Sequence, residues 1–339
     1  MSIGHDASAE KGQFAVELLR PDDAPSLVEL FRAVYGNHYP IQLFYDPEAI
    51  VQANRDGRYY SIVARTPSGQ IVGASHLYRS SPFPGLYEAG VGLVSKDYRN
   101  TGINKKLLSF LYESFVPGIP HIQEVFGEAV CNHPYMQKSA QSFKHTETAI
   151  ELALMPAAAY SKEKSASGRV AVLVMFRCYH SAPHRIFIPR VYEDELRWIY
   201  ARLDDDRELC LSEGKHPEDI ETQTDMEIFD FAGVVRIAVT RSGADLQTCV
   251  ETLESKAREK KAVVFQVWVN LTEPWVGESV DTLRRMGYFF GGALPRWFDG
   301  DGLLMQKLEC LPDFESIVLD TDAARRILSF IQTDRDRVG

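Results

Sequence analysis

The chain has few of the features that mark the specialised protein classes. None of its apolar runs approaches the ~18 consecutive residues needed to span a bilayer as a helix, so no membrane partner is expected. Its five cysteines (Cys131, Cys178, Cys210, Cys249 and Cys310) are far apart and include no C-x-x-C. That excludes a disulfide scaffold or a cysteine-based metal centre and fits the reduced thiols of a cytoplasm. Basic side chains are outnumbered, 37 against 47 acidic, for a net charge of −10. Nucleic-acid binding draws its affinity from phosphate neutralisation, so that partner class is not expected either. With 23 Gly and 17 Pro scattered over 339 residues, collagen-like and low-complexity readings also fail. Residues 1–12 are polar, lack the apolar core of a secretory signal, and read as a disordered tail.

What is present is ordinary globular composition, 45% hydrophobic and 11% aromatic, at a length suited to two cores. Phe14 to Arg20 alternates as a strand. Pro21-Asp22-Asp23 opens a helix to about Tyr35, and a short helix follows from Asp46 to Asn54. Tyr59–Arg65, Gln70–Arg79 and Tyr87–Ser95 are three strands joined by short turns, which predicts an antiparallel meander. Asn104–Phe115 is a helix, Ile122–Val130 a strand and Pro134–Phe143 a helix. Ala149–Met155 and Val170–Cys178 are strands, with the small, polar Pro156–Gly168 stretch taken as a long loop between neighbours.

A similar order follows. Arg185–Ile188 is a strand and Glu193–Leu203 a helix. Met226–Phe231 and Val234–Arg241 form a hairpin, followed by a long helix over Ala244–Lys260. Val263–Leu271 is a strand, Val276–Met286 a helix, and Tyr288–Trp297 with Leu303–Leu308 a last hairpin. Asp322–Gln332 is a further helix. The charge run Glu254–Lys261 reads as a solvated helix face. His180 and His184 are four apart, but Pro183 intervenes and no third ligand is near, so no metal site is expected. Trp198, Trp275 and Trp297 read as core or interdomain packing rather than a stacking platform.

The run that carries chemistry is Leu93 to Leu108 (LVSKDYRNTGINKKLL). A strand ends, a turn with Gly102 follows, and an amphipathic helix begins. The first amides of a helix have no intrahelical partner and favour an anion. Gly102 removes a side chain where phosphates would approach, and Arg99 supplies a cation at the rim.

This segment resembles motif A of the GNAT superfamily of N-acetyltransferases, matched by Asp97-Tyr98-Arg99-Asn100-Thr101-Gly102-Ile103. Asn104 stands where that pattern has Gly or Ala. The element order over residues 13–180 is similar to the GNAT order as well. The resemblance implies a GNAT fold of α/β (α+β) type, a mixed, largely antiparallel sheet flanked by helices. It implies acetyl-CoA, or another acyl-CoA, held by Arg99, Asn100, Thr101, Gly102, Ile103, Asn104 and Lys105. The backbones of Leu93 and Val94 would meet the pantetheine arm, and Asn132 follows the next strand as in the family.

It further implies direct attack by an amine. Glu88, eleven residues before Arg99, occupies the place of a general base; its other reading is a solvent-facing strand residue. The family's usual Tyr in the helix after the splayed strand is replaced by Lys138 or Ser139. Tyr135, one turn earlier, is the candidate proton donor, with His133 beside it; packing or cofactor contact is the other reading of Tyr135. By family position Gly36–Tyr45, with His38, would line the acceptor pocket, and Tyr160 of the long loop would contact substrate.

In the second half Arg241-Ser242-Gly243 is the remnant of motif A, while Asn270 through Leu283 to Gly287-Tyr288-Phe289 is similar to the family's later stretch. The expected domains are therefore a GNAT acyl-CoA domain over 13–182 and a degenerate GNAT-like copy over 183–339. The expected function is acetyl transfer to an amine of a small molecule or protein, by a monomer or homodimer. The alternative is a non-catalytic acyl-CoA-binding regulatory or interaction module.

Overall fold

The computed structural model describes residues 13–156 and 168–338. The tail over 1–12 and the Pro156–Gly168 loop with Tyr160 thus lie, wholly or nearly so, outside the described residues. By packing, the chain forms two compact units, residues 13–80 with 87–122 and residues 81–86 with 123–338. These units are defined by contact. The division expected at 182/183 concerns repeated element order.

The first unit contains β1 (Ala15–Leu18), α1 (Ala24–Tyr35), α2 (Pro47–Arg55), β2 (Tyr59–Arg65), β3 (Ile71–Tyr78), β4 (Leu86–Val94) and α3 (Ile103–Ser109). α1 buries Leu27, Val28, Leu30 and Phe31, which share one face at helical spacing. Asp46 starts α2, its carboxylate accepting the amides of Glu48 at 2.9 Å and Ala49 at 3.2 Å ahead of Pro47 at the first helical position. The strands β1 to β4 pair consecutively and antiparallel, the expected meander. α3 continues as a π-helical turn over Phe110–Phe115.

The second unit contains β5 (Glu124–Val130), α4 (Tyr135–Ser142), β6 (Thr146–Pro156), β7 (Arg169–Cys178), β8 (His184–Ile188), α5 (Glu193–Tyr200), β9 (Arg207–Leu211), β10 (Gln223–Phe229), β11 (Val234–Arg241), α6 (Leu246–Glu259), β12 (Val264–Asn270), α7 (Val276–Arg285), β13 (Phe289–Leu294), β14 (Gly302–Leu308) and α8 (Asp322–Val338). Its sheet runs β5-β7-β6-β13-β14-β12-β11-β10, antiparallel except for the parallel β11–β12 pair. β6 and β7 pair directly, so the stretch between them does join neighbours. The order β5-β7-β6 is repeated by β12-β14-β13, each built as strand, helix, strand, strand. The two sets meet where β6 faces β13 through a single residue pair, Ala149 with Gly292. The buried Gln306 of β14 completes this junction. Its carboxamide accepts from the Leu152 amide at 2.9 Å and donates to the Ile150 carbonyl at 3.0 Å.

Three sequence expectations are corrected. β9 was not foreseen; it forms a separate parallel pair with β8. The last helix runs to Val338 rather than Gln332. The run from Glu254 to Lys261 is not wholly solvated: Glu254 is buried and bridges Lys307 at 2.9 Å and Arg258 at 2.8 Å. Its place follows the buried spacing Leu246, Val250, Glu254, Ala257 of α6, which turns it onto the sheet.

The second unit also buries charge. Asp301 accepts from Arg207 at 2.5 Å and from the Arg296 amide at 2.8 Å, and lies 3.0 Å from His184 Nε2. Burial opposes its ionisation, but Arg207 and His184 hold its carboxyl well below the ordinary value. Glu124 lies in the same field, and there burial wins over Arg207, pushing it up to about 8. A carboxyl whose folded pKa is raised contributes stability that is present below its ordinary pKa and lost as pH rises toward the folded one. Glu124→Gln should therefore gain stability relative to the parent between pH 5 and pH 8.5. Thermal unfolding across that range checks it, and a pH-independent difference would contradict it. Gln306→Leu leaves two buried backbone groups unmet and should cost about 2–4 kcal/mol in denaturant unfolding.

Candidate functional site

β4 carries the first part of the candidate site. Its register against β3 runs Tyr78–Glu88, Leu77–Ala89, His76–Gly90, then shifts to Ala74–Leu93 and Gly73–Val94. Val91 and Gly92 thus face Ser75 alone, and Val91 takes a φ of 53°. This is a bulge, two residues against one, and it takes main-chain groups out of the regular ladder. Glu88 precedes the bulge; Leu93 and Val94 follow it. Leu93 is buried, while Glu88 and Val94 are half-buried. Glu88 accepts a hydrogen bond from the hydroxyl of Tyr78, its partner across the strands.

After β4 the chain makes a short 3-10 turn over Lys96–Tyr98 and then opens. Asn100 has φ 62° and Gly102 has φ 83°, both left-handed. A Cβ on Gly102 would meet nothing within 4 Å, so the turn leaves space at that point. Thr101 Oγ1 donates to the Tyr98 carbonyl at 2.5 Å and tightens the turn. The first helical bond of α3 runs from the Lys106 amide to the Gly102 carbonyl at 3.1 Å. The amides of Ile103, Asn104 and Lys105 precede it, which is where a helix lacks internal partners. Ile103 is buried and anchors the helix; Arg99, Asn100, Thr101, Gly102, Asn104 and Lys105 are exposed. The Asn104 side chain extends toward β4, its Oδ1 4.0 Å from where a Gly92 Cβ would sit. Lys106 turns aside to the Phe14 ring, 4.5 Å from its centroid.

Asn132 and Tyr135 lie in the second unit. Asn132 is half-buried in the turn after β5. Tyr135 begins α4 with 74% of its surface exposed, its ring 5.1 Å from that of His133. The first unit therefore gathers Leu93, Val94 and residues 99–105 into one strand–turn–helix, with Glu88 on the same strand. Sequence reasoning missed Tyr78 as the partner of Glu88 and Tyr59 stacked on Tyr78. The signal was available: a hairpin centred near Phe83 sets Tyr78 opposite Glu88 by counting.

The corresponding turn in the second half, after β11, is closed. β11 and β12 pair in parallel from Val234–Val264 to Val239–Val269 without a break. Ser242 is fully buried, and its amide and hydroxyl donate to the Glu273 carboxylate at 3.0 and 2.7 Å. The Trp275 indole donates to the Ser242 carbonyl at 3.0 Å, and Ser279 lies between Ser242 and His216 at 2.7 and 2.8 Å. A Cβ on Gly243 would fall 2.0 Å from the Ile220 carbonyl oxygen, so the segment ahead of β10 lies over the turn. Burial raises the Glu273 carboxyl, and the Ser242 bonds oppose that rise. At this turn the Glu273 carboxyl accepts the Ser242 donors and the Ile220 carbonyl covers Gly243.

No family model matches the chain, and no curated protein does. Solved structures do match; those that follow are acetyltransferases, each matched over about half of this chain. The ribosomal-protein-S5-alanine acetyltransferase of Vibrio fischeri is 11% identical over 49% of this chain and 93% of its own, with a TM-score of 0.39. The ribosomal-protein-S18-alanine N-acetyltransferase of Escherichia coli is 15% identical over 50% and 96%, with a TM-score of 0.38. A GNAT superfamily phosphinothricin acetyltransferase from Sinorhizobium meliloti, in complex with AcCoA, is 17% identical over 49% and 89%, with a TM-score of 0.38.

Glu273→Ala removes the acceptor of two buried donors. It should cost about 2–3 kcal/mol in unfolding experiments and leave acyl-CoA titrations unchanged, because the Ile220 carbonyl still covers the turn at Gly243.

Proposed function

We propose that the protein is an acyl-CoA-dependent N-acyltransferase, with acetyl-CoA as donor and the amine of a small molecule or protein as acceptor. The observation that carries this reading is the β4–turn–α3 crossover. Three amides stand ahead of the first helical bond, beside a left-handed Gly102 with open space and with Arg99 and Lys105 exposed at the rim. That chemistry suits a pyrophosphate. Residues 99–105 would hold the phosphates, Leu93 and Val94 would meet the pantetheine, and Asn132 would complete the set.

Bound acyl-CoA supplies an activated acyl carbon. Glu88 removes a proton from the acceptor ammonium, which frees the nitrogen lone pair for attack. The new C–N bond forms as the C–S bond breaks. Tyr135 is the proposed donor of the proton that the departing sulfur takes up, and the second proton shed by the attacking nitrogen returns to the Tyr135 phenolate, so that Glu88 and the thiol each end with one proton. Main-chain amides released at the Val91–Gly92 bulge are the type of donor that polarises a carbonyl.

We read residues 183–339 as a second copy of the same element order with a structural role. The repeated β12-β14-β13 order and the Glu273-filled turn support this. The rival reading, a non-catalytic acyl-CoA-binding module, is favoured by Asn104 and by Lys138 or Ser139 in place of the family tyrosine.

Calorimetric titration of acetyl-CoA into the full chain tests the site. Gly102→Trp should abolish binding, with a thermal melt run alongside because a side chain at φ 83° carries strain. Undiminished affinity in a folded variant would remove the phosphate cradle. Glu88→Gln should lower thiol release about 100-fold while leaving acetyl-CoA affinity nearly intact. Binding without thiol release from any amine would favour the module.

A further inference from the structure

Strand register sets three side chains of the first unit in one row. Tyr59 of β2 stands opposite Tyr78 of β3, and Tyr78 stands opposite Glu88 of β4. The next row holds Ser61, His76 and Gly90. Tyr78 does not stand upright in its own row. A Cβ built on Gly90 would fall 2.8 Å from the Tyr78 hydroxyl, so the ring leans into the space that glycine leaves. From there the hydroxyl donates to the Glu88 carboxylate. The bond draws the carboxyl along β4 toward Gly90, the side of Glu88 that leads to the Val91–Gly92 bulge.

Neighbouring rings fix this lean. Tyr59 is stacked on Tyr78, with centroids 5.3 Å apart and planes 19° from parallel. The buried Phe44 meets Tyr59 edge-on at 5.8 Å, and Tyr39 and Tyr35 continue the packing behind it at 6.0 and 4.8 Å. A tyrosine ring is set by few side-chain torsions, so a ring stacked on its face fixes where its hydroxyl points.

The titratable groups facing the pair carry no charge of their own at neutral pH. Tyr39, from the loop after α1, and Tyr59, from β2, both feel the Glu88 charge, and burial raises both phenols. His76, in the next row, is pushed down to about 3 by burial. Arg58, exposed beside Tyr59, is the cation whose field reaches Tyr59. A hydrogen bond donated to a carboxylate favours its ionised form, and the Tyr78 hydroxyl is such a donor.

We propose that Tyr78 is a positioning residue for Glu88: its hydroxyl keeps the carboxyl ionised and aimed along β4 toward the bulge. Tyr78 keeps its own proton throughout; the proton that moves goes to Glu88. The proposal rests on the transferase reading for the source of that proton, but the pair is tested without transfer.

The full chain, isotope-labelled at its glutamate carboxyl carbons, is titrated with acid and followed by NMR. The Glu88 signal is identified by its loss in Glu88→Gln. Tyr78→Phe keeps the stacked ring and removes only the hydroxyl, and it should raise the Glu88 midpoint by about one pH unit. Gly90→Ala keeps the hydroxyl but takes its space, and should raise the midpoint as well, with a thermal melt run alongside. A packing role for Tyr78 predicts no movement in Tyr78→Phe, so an unmoved midpoint there would overturn the proposal whatever Gly90→Ala does. In thiol-release assays Tyr78→Phe should move the acid limb of kcat up by the same amount and leave the KM for acetyl-CoA near its parent value. A moved midpoint in a chain that neither binds acetyl-CoA nor releases thiol would keep the pair and overturn the transferase. An unmoved midpoint in a chain that does both would do the reverse.

Discussion

Main-chain groups that a sheet cannot pair must be met by something else, and this constraint shapes the molecule. Where β6 and β13 share only one residue pair, the Gln306 carboxamide supplies the missing donor and acceptor. Where β11 turns into α6, Glu273 takes the amide and hydroxyl of Ser242. Where β4 turns into α3, the amides ahead of the first helical bond sit among exposed residues. The first two places are closed by side chains of the chain itself. The third is open, and openness of that kind is what a ligand requires.

The contrast between the two turns separates holding a fold from using it. Both follow a strand and precede a helix. One has Gly102 in open space, the other has Gly243 under the Ile220 carbonyl. One is rimmed by Arg99 and Lys105, the other is filled by a carboxylate. At the second turn the Ser242 amide and hydroxyl already have the Glu273 carboxyl as their acceptor.

Much of the fold was legible in the sequence, for local reasons. The β2-β3-β4 meander shows in strand runs broken by Thr66-Pro67-Ser68-Gly69 and Ser80–Gly85, because turn chemistry there is strong. The β4–turn–α3 segment was legible because apolar periodicity changes from two to 3.6 across Gly102. β9 was not, since five residues in an acidic stretch carry too little pattern and the strand exists by pairing with β8. Glu254 was misread because charge suggested solvent, while α6 geometry turned it onto Lys307. The packed tyrosines beside Glu88 were only half visible. Tyr35, Tyr39 and Phe44 share one segment, but Tyr59 and Tyr78 join them through strand register, which is a long-range fact.

The β6–β13 junction has a consequence for the order in which the chain acquires its structure. The backbone of β6 at Leu152 waits for a glutamine made 154 residues later. During synthesis the β6–β7 hairpin therefore emerges with one side unpaired, long before β13 and β14 exist to cover it. For that interval the nascent strand is an adhesive edge, and its safety depends on the ribosome's pace and on whatever shields it. Here the geometry of one finished hydrogen bond sets a hazard in time.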